Sequence, residues 1–574
     1  MTVQTTVAQL SSVALRLVSY FFLRWFLPIL AFTLFAIYVP SFISSYLTES
    51  KYEVVHDEVD LVIKETTLKG ETPEVEDANG DANADDEIIA EEVEVQETIV
   101  VGEKPVRGWQ SLLTDRLFRE HTYTADDLSF VRLGYVSDSE AKLLIREPDQ
   151  SKMPITVELH IKDPQPPFDN PLWQTAGGIR WTSNETDYTA VLSIPLRHNK
   201  QRTYEWRSSN NHSGEFTAAP KAGQTSEITN GQFTFLSTSC IVSRLPYNPL
   251  DHPLAIPGMK YLAKALPDLG AQFMLFLGDF IYVDVPRWWG KDIGDYRQKY
   301  RQVYASPDWA AVGQNLSWIH VLDDHEISND WSSNDTGVYK AAVEPWHHYH
   351  TSVNPPPPKK AGALARKKPA TCNLLPFNDT EKTMLGQEQF EDLLRFLHRP
   401  EPKGVKWKVV ASSVPFTKNW HVNTKDTWGG FLTERKKLLE AMWDVGSRGY
   451  GVVILSGDRH EFAATKFPPP PDSKWPESAA VHEFSASPLS QFYSPIPTYK
   501  QTDNEDVKVK YVNIGNSKFG AITIENLSEG EQSSLKYRLF VDGVEAWNTV
   551  VLSPQKTIES KASGSFWGRL TGSQ

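Results

Sequence analysis

The chain has 574 residues, 40% of them hydrophobic, with 33 Gly and 38 Pro, which is enough apolar material for sizeable cores in more than one domain. Its formal net charge of −14 argues against a nucleic-acid partner, because phosphate backbones select basic faces. Two cysteines, Cys240 and Cys372, cannot make a disulfide framework and leave the redox compartment open.

After a short N-terminal segment (1–24), residues 25–47 are predicted to form one transmembrane helix. The run from Trp25 to Tyr46 carries no charge, and about 20 apolar-rich residues suffice to cross a bilayer. Arg16 and Arg24 precede the run and acidic residues follow it, so the preference for positive charge on the cytoplasmic side puts the rest of the chain on the luminal or extracellular side, in the secretory pathway. Six Asn-x-Ser/Thr sequons, at Asn184, Asn211, Asn315, Asn334, Asn378 and Asn526, are compatible with that side. Residues 48–105 are rich in Glu and Asp and poor in aromatics, a composition that predicts a disordered, solvated spacer.

Between 106 and 230, short alternating runs such as ITVELHIKD and DYTAVLSIPL stand between Pro, Asn, Asp and Gly. This period of two predicts an all-β, immunoglobulin-like sandwich. From 231 to 555 the rhythm changes. Apolar strands (FTFLSTSC, QFMLFLGD, WIHVLDD, WKVVASSV, YGVVILSGD) alternate with helical stretches (PGMKYLAKAL, DYRQKYRQVY, QEQFEDLLRFL, TERKKLLEAMW). That alternation predicts a layered α/β domain with its site on loops at the strand ends. Two Pro-rich tracts, near Asn354 and Phe467, read as exposed insertions, and 556–574 as a flexible tail.

Four of the predicted strands end in residue types that bind metal ions: Cys240; Asp279 with Tyr282; Asp323-Asp324-His325-Glu326 with Asn329 and Asp330; and Asp458-Arg459-His460. Taken singly, a strand-end Cys is a small core residue, an Asp caps a turn or helix, and a His is a surface hydrogen bonder. Together, at the same end of successive strands, they would converge, and mixed carboxylate, imidazole, amide, phenolate and thiolate donors suit a transition metal beside a harder, oxygen-preferring cation.

GDFIY, DDHE followed by Asn329, and SGDRH resemble the signature blocks of the PhoD-like phosphatases (alkaline phosphatase D type), as do LGQEQFEDLLRFL, DTWGGFLTER and EFSASPLS. The resemblance implies a metallophosphoesterase-type α/β catalytic domain. It also implies Cys240, Asp279, Tyr282 and Asp458 around a ferric iron, and Asp279, Asn329 and His460 facing calcium, with Asp279 as the bridge; other divalent metals are alternatives. Under this reading a bound water, activated by the metals, attacks a phosphomonoester or phosphodiester. Asp324, His325 and Arg459 are candidate catalytic residues, His325 as the group that touches the phosphate or the leaving oxygen. Arg435 is a second candidate for a cationic clamp. The competing reading is an inactive membrane glycoprotein that keeps the fold as a binding or scaffolding module. Substrate and oligomeric state are not encoded in any readable motif.

Other signals do not hold. His325-Glu326-Ile327-Ser328-Asn329 begins like H-E-x-x-H but lacks the second His, and neither a G-x-S-x-G elbow nor a phosphate-binding Gly-rich loop occurs. His347, His348 and His350 read as packing residues on a helix, and the basic residues of the first Pro-rich tract (Lys359, Lys360, Arg366, Lys367, Lys368) as a solvated loop.

Overall fold

The computed structural model describes residues 37–40, 52–67, 89–103, 120–163, 172–197, 201–226, 228–248, 250–285, 289–333, 335–356, 376–527 and 532–555. The chain divides into two units, Met1–Arg119 and Glu120–Gln574. Among the described residues no helix is long and apolar enough to cross a membrane. The run from Trp25 to Tyr46 lies outside them except for a helical turn at 37–40, and so do the basic part of the first Pro-rich tract and the C-terminal tail.

In the first unit the segment expected to be a disordered spacer pairs with itself. Strands β1 (Tyr52–Thr67) and β2 (Ile89–Glu103) form an antiparallel two-stranded sheet. The physical reason is in the sequence: stretches such as EVDLVI and VEVQETIVV alternate apolar with polar residues, a strand pattern that the overall acidity obscures.

The second unit begins with two antiparallel sheets. Strands β3 (Phe130–Val136), β4 (Glu140–Arg146) and β7 (Thr189–Pro195) make one sheet; β5 (Ile155–Asp163), β6 (Gln174–Ile179), β8 (Thr203–Ser208) and β9 (Ser213–Thr217) make the other. Leu143 and Ile145 of the first and Ile155, Val157 and Trp206 of the second are fully buried in one shared core. Arg132 of β3 reaches out of this sandwich, donating to the carbonyls of Trp318 (3.2 Å) and Tyr349 (2.6 Å).

Two further sheets carry the α/β part. One has the order β12-β11-β10-β18-β19-β20, where β10 (Phe233–Thr238), β11 (Ala271–Phe276) and β12 (Ser317–His320) are parallel, and β18 (Lys518–Asn526), β19 (Ser533–Val541) and β20 (Val544–Leu552) are added antiparallel. The other has the order β13-β14-β16-β15-β17. Here β13 (Trp407–Ser412), β14 (Gly451–Ser456) and β16 (Val481–Ala486) run parallel, and β15 (Phe462–Phe467) separates them from β17 (Val507–Val512).

Strand alternation fixes the layering. Phe235, Leu275, Val453 and Leu455 face inward into the core between the two sheets. Their neighbours Leu236, Met274 and Phe276 face outward against helices α1 (Pro257–Leu269), α2 (Ile293–Tyr304) and α3 (Tyr339–Tyr349). On the other side Val452 and Ile454 face α4 (Gln387–His398) and α5 (Leu432–Ser447). Strands buried on both faces read as continuous apolar runs, as FMLF and VVIL do, and each such side chain is stabilised by roughly 1.5–3 kcal/mol on burial.

The helices start where local chemistry allows. Pro257 opens α1 and left-handed Gly270 closes it, and the Asp292 side chain caps α2 by accepting from the Gly294 and Asp295 N–H groups. The second Pro-rich tract is not simply exposed: Phe467 is fully buried, and Trp475 packs on Trp443 and donates to Asp444.

Candidate metal centre

Because the two sheets stack with their parallel strands pointing the same way, the loops after β10, β11, β12, β14 and β16 meet at one edge. Ser239 fastens them. Its hydroxyl accepts the Asp458 N–H (3.1 Å) and lies 3.0 Å from Cys240 Sγ. Gly457 is required there, since a Cβ would lie 2.3 Å from Ser239 Oγ. Cys240, Asp279, Asp458 and His460 all take left-handed backbone angles (φ 61, 58, 75 and 58°). Such angles are costly for non-glycine residues and concentrate at functional sites.

The side chains form a continuous cluster. Asp279 Oδ2 accepts from the Tyr282 hydroxyl (2.8 Å) and lies 3.4 Å from Cys240 Sγ, and the same hydroxyl is 3.3 Å from His460 Nε2. Cys240, Asp279 and His460 offer ligand atoms within 4.8 Å of one another. So do Asp279, Asp324 and His325; Asp279, Asp323, Asp324 and Asp458; and Asp324, Asp330 and Asp426. Asp279 thus belongs to three of these four groups.

Glu326 is a backbone latch: its carboxylate accepts the N–H groups of Asp279 (3.1 Å), Phe280 (2.6 Å) and Asp323 (2.7 Å). Asp324 Oδ2 accepts the Asp330 N–H (2.5 Å). His460 is held by Ser487, which accepts its N–H (2.7 Å), by Lys518, which donates to its carbonyl (3.2 Å), and by Gln491, whose amide nitrogen is 3.1 Å from Nε2.

The electrostatics are those of a cavity with too much negative charge. Burial raises the Asp279 carboxyl well above its usual range, with Asp324, Asp323 and Glu326 adding to the shift and the His325 charge opposing it. Burial raises Asp458 to about 8 and Glu326 to about 7. It also pushes the Cys240 thiol up, in the same direction as the Asp279 and Asp458 charges. Burial alone would lower His325, but Asp284, Asp279 and Asp324 outweigh it and raise the imidazole to about 9. Asn329 Oδ1 is a buried acceptor with no hydrogen-bond donor, and buried Asp458 Oδ2 accepts no hydrogen bond either, the Arg459 guanidinium standing 3.7 Å from it. Such atoms are costly in a protein interior unless something cationic or hydrogen-bonding meets them, and the donor set fits metal ions.

All the residues expected at the site except Arg435 are at this edge. Arg435 Nη2 instead bonds both oxygens of buried Asp506 (2.6 and 2.7 Å), and its Nε bonds the Phe416 carbonyl. The salt bridge that its position on α5 creates takes the place of a phosphate contact. Arg459 stays at the rim, 3.7 Å from Asp458, with Nη2 on the Val422 carbonyl (2.8 Å) and the guanidinium 5.7 Å from the Trp420 ring. His350 is a core residue, stacked on His320 at 3.6 Å.

Sequence reasoning missed Asp284, Ser239, Ser487, Gln491 and Lys518. Asp284 follows GDFIY in the same loop, where a second carboxylate was a visible signal; Ser239 and Ser487 lie inside FTFLSTSC and EFSASPLS, where one serine among several is not singled out, and Gln491 and Lys518 lie in stretches with no distinguishing pattern.

A layered α/β fold brings together at its strand ends a buried carboxylate, imidazole and thiol cluster that could hold metal ions. The model of the PhoD-like phosphatase family matches residues 256–353 and 360–535, so this part of the chain is similar to that family. A solved structure titled "Structure of PhoD" resembles the chain with a TM-score of 0.52 at 16% identity, covering 75% of this chain and 90% of its own. At that identity the likeness bears on the fold. No curated protein sequence matches the chain significantly.

Proposed function

We propose that the chain hydrolyses phosphate esters, monoesters, diesters or both, at the Asp279-centred cluster. The observation that carries this reading is the meeting of Cys240, Asp279, Tyr282, Asp458 and His460, from two different sheets, at one edge of a domain similar to the phosphatase family. Cys240, Asp279, Tyr282 and Asp458 would hold a ferric iron, and Asp279, Asn329 and His460 calcium. When bound, such ions polarise phosphoryl oxygens and acidify a water at neutral pH.

The chain's own residues supply the rest. Asp279 offers an oxygen to more than one group of ligands and so sets their spacing. Ser239, Ser487, Lys518 and Glu326 hold the ligand loops in left-handed conformations that the loops would not adopt alone. His325, whose Nδ1 lies 2.6 Å from Asp284 Oδ1, would meet the phosphate or the leaving oxygen, and Arg459 would add positive charge at the rim. Asp324 anchors the 323–330 loop and offers a further oxygen to the cluster.

Support for a single-pass anchor, with the domain on the luminal or outer side, comes from the uncharged run and the arginines before it. The described sequon residues Asn184, Asn211, Asn315, Asn378 and Asn526 are all exposed. Protease added to sealed vesicles should spare the domain; its removal from the cytosolic face would overturn this placement. A hydrolysis profile across mono- and diesters, with iron and calcium supplied or chelated, tests the activity. Turnover that is indifferent to chelation would sink the reading.

A further inference from the structure

Asp284 lies in the loop that carries Asp279, and its carboxylate is 8% exposed. Its two oxygens do different things. Oδ1 is 2.6 Å from His325 Nδ1, and Oδ2 accepts the backbone N–H of Asn329 at 2.7 Å. On another side the Tyr282 ring packs against the His325 imidazole, with centroids 4.0 Å apart. With Nδ1 committed to Asp284, the ring can serve a phosphate ester only through Nε2.

We propose that Asp284 is the positioning residue of the centre: one carboxylate that fixes the His325 ring and the Asn329 backbone together, and so sets where the leaving oxygen of a phosphate ester is met relative to the ligand loop. The proposal rests on the reading of His325 given above. A forked acceptor is needed because both partners are N–H donors. An amide of the same size offers one oxygen and one NH2 group, so it can satisfy one partner and must turn a donor toward the other. A single group that orients a catalytic imidazole and a ligand backbone couples proton placement to ion placement, and the loss of such supporting groups typically costs on the order of 10–100-fold.

The test uses Asp284→Asn, His325→Asn and the double variant in the full chain, with metal supplied in excess. Two phosphate monoesters are compared, one with a nitrophenyl leaving group and one with an alkyl leaving group. A group that meets the leaving oxygen matters most when that oxygen leaves poorly. Asp284→Asn is expected to lower kcat on the alkyl ester by on the order of 10–100-fold, with a much smaller loss on the nitrophenyl ester and KM little changed. In the His325→Asn background it should add little further loss. Equal losses on both esters, or a full additional loss in the double variant, would overturn the proposal.

If Asp284→Asn does not fold, Asp284→Ala with added formate replaces it, and recovery on the alkyl ester is the expected result; no recovery counts against the role. Should the wild-type protein hydrolyse neither ester nor the corresponding diesters, the phosphoesterase reading fails. The positioning role is then decided by metal retained after dialysis, where Asp284→Asn keeping the wild-type complement overturns it and a smaller complement supports it.

Discussion

The hydroxyl of Tyr282 donates to Asp279 Oδ2 across 2.8 Å, and that hydroxyl oxygen lies 3.3 Å from His460 Nε2. A phenol three residues after a strand-end carboxylate on one sheet therefore touches an imidazole delivered by the other.

Asp279 is the first residue to test. Asp279→Asn keeps the size of the side chain but removes the charge shared by three of the metal-capable groups. Activity and metal content should fall together, read by turnover and elemental analysis of the same sample. Near-normal turnover with full metal would refute the bridging role.

Tyr282 and Cys240 report on the identity of the metal. A phenol has a pKa of about 10 when free, so a tyrosinate at neutral pH requires a strongly Lewis-acidic ion. Purified protein should be coloured and should bleach on reduction. Tyr282→Phe should shift or abolish the visible band without unfolding the chain, and Cys240→Ser should weaken iron retention. Colourless, fully active protein that holds only zinc or magnesium would rule out the iron assignment.

Arg435 should behave as a structural residue. Its bidentate pair with Asp506 is buried on both sides, with side-chain exposures of 5% and 0%, and Asp506 also accepts from the Thr417 hydroxyl and the Lys418 N–H. Arg435→Gln should cost about 3–5 kcal/mol by leaving a buried charge without its partner. Chemical denaturation should show that loss, and the visible spectrum of the folded fraction should be unchanged. A stable variant with altered metal content would place Arg435 at the site after all.

The pH dependence of the metal-free protein follows from the raised groups. Asp458 rises from an ordinary 3.8 to about 8, Glu326 from 4.5 to about 7, and His325 from 6.5 to about 9. In each window the folded chain holds a proton that the unfolded chain has lost. These groups therefore make folding less favourable as pH rises from about 4 to about 9. Melting temperatures of stripped protein should fall from pH 6 to pH 9, and Asp458→Asn should flatten the slope. Metal-loaded protein should show a widening advantage over the same range, because cations take the deprotonated ligands. A stripped protein that gains stability toward pH 9 would contradict this account.

Much of the centre was readable because each ligand-type residue directly follows a run such as FMLFLGD or VVILSGD, where an apolar strand announces the loop. The sandwich strands were readable for a similar reason, their period of two. Gln491 and Lys518 were not, because what defines them is a contact across the fold: Lys518 meets His460 only because β18 returns to pair with β10. Arg435 misled because a motif block records which residues recur together and not which partner a side chain finds. The β1–β2 pairing was hidden by net charge, which says how a segment is solvated and not how its apolar residues alternate.

Cys240 and Asp279 hang from one sheet and Asp458 and His460 from the other, and at that edge the two backbones also meet where Asp458 donates to Ser239 Oγ (3.1 Å), Leu489 to the Ser239 carbonyl (2.7 Å) and Ser490 to the Cys240 carbonyl (3.2 Å). An ion gripped by both sets would act as a rivet at that edge. Releasing it would remove one of the ties between the sheets, so that a chelator would act on this chain in the direction a denaturant does, lowering the temperature at which the α/β core lets go.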